Sequence, residues 1–362
     1  MPGASAPILW AGAALVVSAI VTRASIVYAR RRNLIDAPGM RRSHTVPTPR
    51  GGGIGIVVAI LACGLLPSIA GTASTGPTAF WWLIPGVIGI ALVGWIDDHG
   101  GLSIAKRFAM HCVAALWTFV VPLLPVAISG GPSPWLVVVM LSGGLLGAAL
   151  AVWSINLHNF MDGIDGILAL QSIFVFGMLA TLFARAGNTE SAWQLGLWAA
   201  AVLGFLPFNF PRARIFMGDV GSGVLGFLVA VAVIGQMLDP RIAFASGLVA
   251  CSAFVTDATC TLVSRMVRGR RWYSAHREHL YQWLVRCGNS HARVVAYYMG
   301  WNLLIVLPAI GWMNRSIASD ARAAPAGFGA ALLVYALAVG IWLVGKKHCI
   351  GSVRARSRHE AA

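Results

Sequence analysis

The residues with the clearest capacity for chemistry are aspartates that lie inside or at the edge of long apolar segments. Half of the twelve acidic residues are placed in this way: Asp97, Asp98, Asp162, Asp165, Asp219 and Asp257. Carboxylates beside a membrane interior are unfavourable unless they are paired or used, so each is a hypothesis of function. Because carboxylate oxygens are the ligands that Mg²⁺ prefers, the placement predicts a site that holds a cation.

The central motif is the stretch from Asn156 to Gly166, in which Asn156, Asn159, Asp162 and Asp165 recur at every third position. On a helix this spacing puts the polar side chains on one face. In a loop the two Asp-Gly pairs would instead form turns. Both geometries remain open, and either one gathers oxygen ligands.

A second motif, Asp97-Asp98, ends an apolar segment and is followed by a Gly-Gly pair. Two adjacent carboxylates can bind a divalent cation or act as general bases. A solvated turn explains the same sequence equally well.

A third motif places Asp219 between Gly218 and Gly221, with Arg212 and Arg214 a few residues before it. A carboxylate at the positive end of a helix, near two arginines, fits an anchor for a metal and a diphosphate. The alternative is a structural helix N-cap at Asp219 or Ser222.

Two basic stretches complete the set. Arg50 precedes three glycines whose backbone N–H groups predict an anion-binding loop, unless the glycines serve close packing. His276, Arg277 and His279 form a cluster that suits a phosphorylated ligand. Contact with anionic lipids is the alternative for this cluster.

Asp257 lies inside a predicted span and is either a site residue or a structural hydrogen-bond partner.

The composition defines the class of protein that carries these motifs. The chain is 58% hydrophobic and 11% charged, whereas soluble domains are about 25% charged. Its apolar runs are each about long enough to cross a hydrocarbon core of roughly 30 Å. We predict an all-α polytopic membrane protein that forms one domain over 1–362, with about eleven spans. The predicted spans are 7–29, 52–70, 79–96, 108–128, 135–155, 167–184, 192–208, 222–237, 243–263, 294–312 and 325–345.

The distribution of lysine and arginine predicts the orientation of these spans. If the C-terminal tail is cytoplasmic, 22 of the 27 basic residues fall on that side and 4 on the other. This asymmetry places the N-terminus in the periplasm, and it explains the net charge of +15 without nucleic acid as a partner. The loops on the cytoplasmic side are 30–51, 97–107, 156–166, 209–221 and 264–293.

All the motifs except Asp257 fall in these cytoplasmic loops. A transporter needs access from both sides and polar groups near the midplane. Polar groups gathered at one interface favour an enzyme with a cytosolic substrate.

Four motifs in this order resemble the polyprenyl-phosphate N-acetylhexosamine-1-phosphate transferases of glycosyltransferase family 4. The motifs are Asp97-Asp98, Asn156-x-x-Asn-x-x-Asp-Gly-Ile-Asp-Gly166, Phe216-Met-Gly-Asp-x-Gly-Ser222 and Ala275-His-Arg-x-His-x-Tyr-Gln282. Phospho-MurNAc-pentapeptide transferase belongs to the same superfamily. The last motif lacks the three grouped histidines of several members and is similar to the subgroup that initiates O-antigen on FucNAc or QuiNAc, with GlcNAc also open.

The resemblance implies transfer of N-acetylhexosamine-1-phosphate from a UDP-sugar to undecaprenyl phosphate, with release of UMP. It implies Mg²⁺, with Mn²⁺ as a substitute, and a multi-pass enzyme of the bacterial inner membrane whose active site faces the cytoplasm. A homodimer also remains open. The alternatives are a CDP-alcohol-type membrane phosphotransferase, whose aspartates would cluster in one or two consecutive helices, and a polytopic transporter.

The same resemblance implies that residue roles known for the family apply to the matching positions of this chain. Asp219 and Asn159 are the expected metal ligands. Asp97, Asp98, Asp162 and Asp165 are the expected catalytic residues, the first pair acting on the acceptor phosphate and the second shaping the nucleotide or metal pocket. A covalent aspartyl intermediate stays open as the competing mechanism. Substrate binding is expected from Asn156, Arg50, Arg212, His276, Arg277 and His279.

Overall fold

The computed structural model describes residues 5–37, 46–69, 78–129, 131–271, 277–319 and 324–360. Helices dominate this part of the chain. The first eight helices are α1 Ser5–Arg31, α2 Ile54–Ile69, α3 Thr78–Gly100, α4 Ile104–Phe119, α5 Leu124–Ile128, α6 Pro134–Met161, α7 Ile167–Arg185 and α8 Thr189–Asn209. The remaining seven are α9 Asp219–Met237, α10 Ser246–Ala250, α11 Ser252–Val267, α12 Leu280–Arg286, α13 His291–Trp301, α14 Leu307–Ser319 and α15 Ala324–Glu360.

The short irregular elements join these helices. A 3₁₀ turn, Val121–Leu123, continues α4 into α5, and a π-helical turn, Asn302–Val306, continues α13 into α14. Two two-residue strands, β1 Ile35–Asp36 and β2 Thr48–Pro49, pair in antiparallel fashion. The predicted all-α membrane class is therefore confirmed for the described residues.

Each of the eleven predicted spans contains helix, but they are not equally long. Within the described ranges, nine helical stretches are long and apolar enough to cross a membrane. The segment predicted at 52–70 is a helix of 16 residues, α2. The segment predicted at 243–263 is interrupted at Cys251, between α10 and α11. The sidedness of the spans stays a prediction.

The helix α9 lies at the centre of the bundle and positions the site. Its sequence is apolar on every side, as expected of a helix that is buried all round, and 78% of its most apolar window is buried. It packs against α3 and α6 most extensively, and also against α2 and α7. The first residue of this helix is Asp219, so the most buried helix presents a carboxylate at one end.

Backbone hydrogen bonds tie the segment before α2 to the segment before α9. The N–H groups of Gly52 and Gly53 donate to the carbonyls of Phe216 and Met217 at 2.9 and 2.8 Å, and Phe216 N–H donates to Pro49 O. A Cβ on Gly53 would lie 2.3 Å from the Cα of Gly221, so only glycine allows this approach. The close-packing interpretation of these glycines is the one that the structure shows, because two of their N–H groups are used internally.

Candidate active site at the start of helix α9

Three aspartates from two helices meet where α9 begins. Asp97 and Asp98 lie in the last turn of α3, and Asp219 is the first residue of α9. Gly94 allows this meeting, since a Cβ there would lie 2.4 Å from Val220 N and 2.5 Å from the carbonyl of Asp219. The helices are therefore in backbone contact one turn before the carboxylates of α3.

Asp98 caps the N-terminus of α9. Its Oδ1 accepts from Asp219 N–H at 3.0 Å and its Oδ2 accepts from Val220 N–H at 3.3 Å. The first N–H groups of a helix lack partners within the helix, and the helix dipole favours a negative charge there. With 2% of its side chain exposed, Asp98 fixes the position of Asp219.

Arg50 joins two of these carboxylates. Its Nε lies 2.7 Å from Asp98 Oδ1 and its Nη2 lies 2.6 Å from Asp219 Oδ1. Burial alone would lower the pKa of Arg50, but the adjacent carboxylates, Asp98 first, raise it above its ordinary value. Arg50 is therefore a fixed positive charge in the cluster, and its predicted role in substrate binding stays a prediction.

Arg107, in the first turn of α4, joins the third carboxylate to the group. Its Nη1 lies 2.7 Å from Asp97 Oδ2 and 2.9 Å from Asp219 Oδ2. The sequence motifs did not single out this residue. The only local signal was its position ten residues after Asp97, across the Gly-Gly turn.

The Asn-rich motif resolves into a helix followed by a turn. The predicted loop begins too early, because α6 continues to Met161 and carries Asn156 and Asn159 on its last two turns. Asn159 donates to Ser222 Oγ of α9 at 3.2 Å, whereas Asn156 donates to the Val152 carbonyl of its own helix. Thus the helical alternative holds for both asparagines, and Asn159 contacts α9.

Asp162 follows α6 directly and belongs to the same electrostatic cluster. Burial, with the charges of Asp219 and other carboxylates, raises the pKa of Asp162 to about 7, and Arg50 opposes this shift. We call Asp97, Asp98, Asp162 and Asp219, with Arg50 and Arg107, the carboxylate cluster. In these residues four carboxylates face two guanidinium groups, so two negative charges remain when all four are ionised.

Asp165 turns away from α9 and links two other segments. Its Oδ2 accepts from Ala213 N–H at 3.2 Å and lies 3.3 Å from His291 Nδ1 at the start of α13. Asn209, at the end of α8, supports the same turn by accepting from Gly166 N–H at 2.8 Å. No local pattern marks His291, because its partner Asp165 lies 126 residues away in the chain.

A second polar group surrounds Asp257 in α11, and its role is structural. Its carboxylate accepts from the N–H groups of Leu280 and Tyr281, at 2.6 and 3.2 Å, and so caps α12. The Tyr298 hydroxyl, the Trp342 indole N–H and the Thr261 hydroxyl also donate to it. Of the two interpretations of Asp257, the hydrogen-bonded structural one is supported.

The Asp257 group holds the basic motif against the Asn-rich motif. His279 is buried, precedes α12, and its ring lies 6.2 Å from that of Phe160. The Tyr281 hydroxyl donates to the Phe160 carbonyl at 3.0 Å, and a Cβ on Gly163 would lie 2.0 Å from that hydroxyl. The turn after α6 is thereby covered by the start of α12.

The other predicted substrate-binding residues lie outside these contacts. Arg277 is half-buried just before α12, and Arg212 is exposed on the segment between α8 and α9. His276 lies outside the described residues. The roles of these residues stay predictions.

A large, mostly apolar cleft opens beside Asp219. It has a volume of about 1110 Å³ and is lined by α3, α4, α6, α9 and α11. Arg107, Asn159 and Asp219 line its polar end. Its walls include Phe108, Leu145 and other side chains that are exposed on the outside of the bundle. The cleft therefore connects the carboxylate cluster with the surface that faces lipid.

The donor atoms of the cluster fit a hard divalent cation. Among the described residues, no group of three or more His, Cys, Asp or Glu side chains is placed to hold a metal ion by itself. Mg²⁺ does not require one, because it usually binds through one or two carboxylates and substrate phosphates. Asp219, Asn159 and Asp162 would hold it, since they supply oxygen atoms beside an excess of negative charge.

Comparison with known proteins gives a consistent set of relatives. Residues 80–236 match the family model described as glycosyl transferase family 4. The chain is 32% identical to the decaprenyl-phosphate N-acetylglucosaminephosphotransferase of Mycobacterium tuberculosis over 322 residues, 80% of this chain and 78% of that protein. It is 26% identical to a protein of Bacillus subtilis, over 84% of each chain, whose name is probable undecaprenyl-phosphate N-acetylglucosaminyl 1-phosphate transferase. It is 29% identical to the phospho-N-acetylmuramoyl-pentapeptide-transferase of Shouchella clausii, over 69% of this chain and 79% of that protein.

Proposed function

Because the chain belongs to glycosyl transferase family 4, we propose that it transfers an N-acetylhexosamine-1-phosphate from a UDP-sugar to a polyprenyl phosphate and releases UMP. Two of the relatives reported above are named as polyprenyl-phosphate transferases of N-acetylglucosamine phosphate, and the third is named as a phospho-N-acetylmuramoyl-pentapeptide-transferase. These names favour the transferase over a CDP-alcohol phosphotransferase or a transporter.

The observation that carries the proposal is the junction of the carboxylate cluster with the apolar cleft. A polyprenyl phosphate has a charged head and a long hydrocarbon chain, and it must react without leaving the bilayer. The cleft suits the chain because its walls are apolar and continue to the outside of the bundle. The cluster suits the head because Arg107 and Asp219 lie at the polar end of the same cleft.

In the proposed reaction an oxygen of the acceptor phosphate attacks the phosphorus that carries the sugar. The bond from this phosphorus to the bridging oxygen breaks, and UMP leaves with that oxygen. A bound Mg²⁺ would neutralise the charge on the diphosphate and on the departing UMP.

The protein residues contribute positioning and charge. Asp98 fixes the start of α9 and so places Asp219. Asp97 shares Arg107 with Asp219, which aligns the acceptor side of the site. An acceptor monoester has its second pKa near about 6 and is already largely a dianion at neutral pH. Positioning by these aspartates therefore matters more than their strength as bases.

We propose undecaprenyl phosphate as the acceptor and GlcNAc, FucNAc or QuiNAc as the sugar. The names of two relatives support GlcNAc, and the His276-Arg277-x-His279 sequence supports the O-antigen-initiating subgroup. The enzyme would then start a lipid-linked O-antigen or a related envelope glycan, at the cytoplasmic face of the bacterial inner membrane. Arg277 and His279 would face the donor phosphates.

Purified protein in detergent tests this function directly. We expect UMP to appear when undecaprenyl phosphate, Mg²⁺ and one of UDP-GlcNAc, UDP-GalNAc, UDP-QuiNAc or UDP-FucNAc are supplied together. Undecaprenol without the phosphate, or an excess of EDTA, should give no UMP, and the fastest donor identifies the sugar. Folded protein that releases no UMP with any of the four donors would overturn the proposal.

The raised pKa of Asp162 predicts that cation binding depends on pH. Between about pH 4 and 7 the carboxyl is protonated in the folded protein and ionised in the unfolded chain, so in the absence of cation stability falls as pH rises through this window. A divalent cation favours the ionised form and must displace the proton below about pH 7. We expect the Kd of Mn²⁺, measured by electron paramagnetic resonance, to rise several-fold from pH 8 to pH 6.

The Asp162→Asn variant is the control for that measurement. The asparagine side chain carries no negative charge, so Mn²⁺ affinity should be weaker at pH 8 than in wild type. It also has no proton that titrates in this range, so the affinity should change less between pH 8 and pH 6. An equal pH dependence in wild type and variant would show that another group causes it.

A further inference from the structure

The apolar cleft contains a polar side chain that the carboxylate cluster does not use. His111 lies on α4, one turn beyond Arg107, and lines the cleft. Residues four apart on a helix are neighbours on one face. His111 is therefore a neighbour of Arg107 on the cleft wall.

The ring of His111 has an unpaired nitrogen in this structure. Within the described residues, Nδ1 of His111 is buried and has no hydrogen-bond partner. Burying an unpaired hydrogen-bonding atom is unfavourable, and most of the neighbouring side chains in the cleft wall, such as Phe108 and Leu116, are apolar. Nδ1 is enclosed by protein, so the ring nitrogen that a ligand in the cleft can meet is Nε2, which makes no hydrogen bond within the described residues.

Arg107 also retains hydrogen-bonding capacity toward such a ligand. Both of its ion pairs use Nη1. A guanidinium group has five N–H donors. Among the described residues, its Nε and Nη2 donors are therefore available for a second anion beside His111.

Three other polar residues of the cleft, Asn156, Asn159 and Asp219, are already occupied. Asn156 donates to the Val152 carbonyl, and Asn159 donates to Ser222. Asp219 accepts from two arginines and would repel a phosphate that lacks a cation. His111 lies beside Arg107 and has an unused ring nitrogen, so its position and chemistry agree with a contact to an anionic head group.

We propose that His111 binds the acceptor, with its imidazole N–H donating a hydrogen bond to the phosphate of a polyprenyl monophosphate whose chain lies in the cleft. The inference rests on the proposed function, because it assumes that the acceptor enters by the cleft. Arg107 holds the same phosphate from the cluster side. His111 therefore distinguishes a polyprenyl phosphate from the corresponding alcohol.

Equilibrium binding tests the proposal without turnover. The affinities of the full-length protein for undecaprenyl phosphate and for undecaprenol are measured in the same detergent, and their ratio reports recognition of the phosphate. Wild type should prefer the phosphate, and His111→Leu should reduce this preference about tenfold, the scale of one hydrogen bond to a charged group. His111→Gln, which keeps an N–H donor of similar reach, should retain most of it.

Leu116→Ala is the matched control. Leu116 lines the same cleft and can contact only the hydrocarbon chain. Its truncation should weaken binding of the phosphate and of the alcohol alike and leave their ratio unchanged. In UMP release, His111→Leu should raise the KM for the lipid and leave the KM for the UDP-sugar unchanged.

The outcomes separate this inference from the proposed function. A ratio that is the same in wild type and His111→Leu overturns the role of His111, even if UMP is released. If His111→Leu fails to fold, His111→Asn, whose amide is too short to reach the same point, takes its place, and an unchanged ratio there has the same meaning. A reduced ratio in protein that releases no UMP supports the phosphate contact and rejects the transferase.

Discussion

The Asp219→Asn substitution is expected to lower the rate of UMP release at least about a hundredfold. Mutation of a single group that stabilises transition-state charge has effects of this size. The variant keeps an oxygen that can accept from Arg50 or Arg107, so its Tm in detergent should stay within a few degrees of wild type. Mn²⁺ binding should weaken in parallel, because Asp219 is the first proposed ligand. Activity like that of wild type would remove Asp219 from the metal site.

Asp239→Asn is the matched control for this substitution. Asp239 follows the other end of α9 and also pairs with an arginine, Arg241, at 2.6 Å. It lies twenty residues from Asp219, near the opposite end of the same helix. We expect its UMP release to stay within about twofold of wild type. A comparable loss in both variants would mean that damage to α9, and not loss of a ligand, explains the first result.

The Gly94→Ala substitution is expected to separate α3 from α9 and to inactivate the protein without removing a functional group. The new Cβ would lie 2.4 Å from Val220 N, which is closer than real Cβ contacts. Overpacking of this kind costs about 1–3 kcal/mol, and misplacing catalytic groups by about 1 Å can lower rates about a hundredfold. We expect a lower Tm together with a loss of UMP release of that order.

Gly89→Ala, in the same helix, provides the comparison. The Cβ of that variant would meet only Ala114 Cβ at 3.9 Å, an ordinary van der Waals distance. It should unfold at or slightly above the temperature of wild type, because alanine favours a helix more than glycine does. If Gly94→Ala behaves like Gly89→Ala, then the contact between α3 and α9 does not set the geometry of the carboxylates.

The sequence was sufficient to predict the membrane class and to place the aspartate motifs, because both depend on local patterns. Long apolar runs reveal spans, and a carboxylate at the edge of such a run is conspicuous. The same local information failed at the end of α6. Asparagine is a poor marker of a helix boundary, so the helix passes Asn156 and Asn159 before it ends at Met161.

The partners of the site residues were beyond prediction because they come from distant segments. Arg107 meets Asp219 across 112 residues, and His291 meets Asp165 across 126. No periodicity records such a pairing. Asp257 shows the same limit, since its position inside an apolar segment fits a functional carboxylate, whereas its five donors from α11, α12, α13 and α15 make it a structural centre.

The double attachment of Asp98, to Arg50 and to the first N–H groups of α9, has a consequence for synthesis of the chain. Asp98 is synthesised 121 residues before Asp219, which at usual translation rates is a delay on the order of ten seconds. Arg50 and Arg107 are encoded early enough to neutralise Asp97 and Asp98 within that interval. Asp219 is therefore the last member of the carboxylate cluster to be synthesised, after both of the arginines with which it pairs.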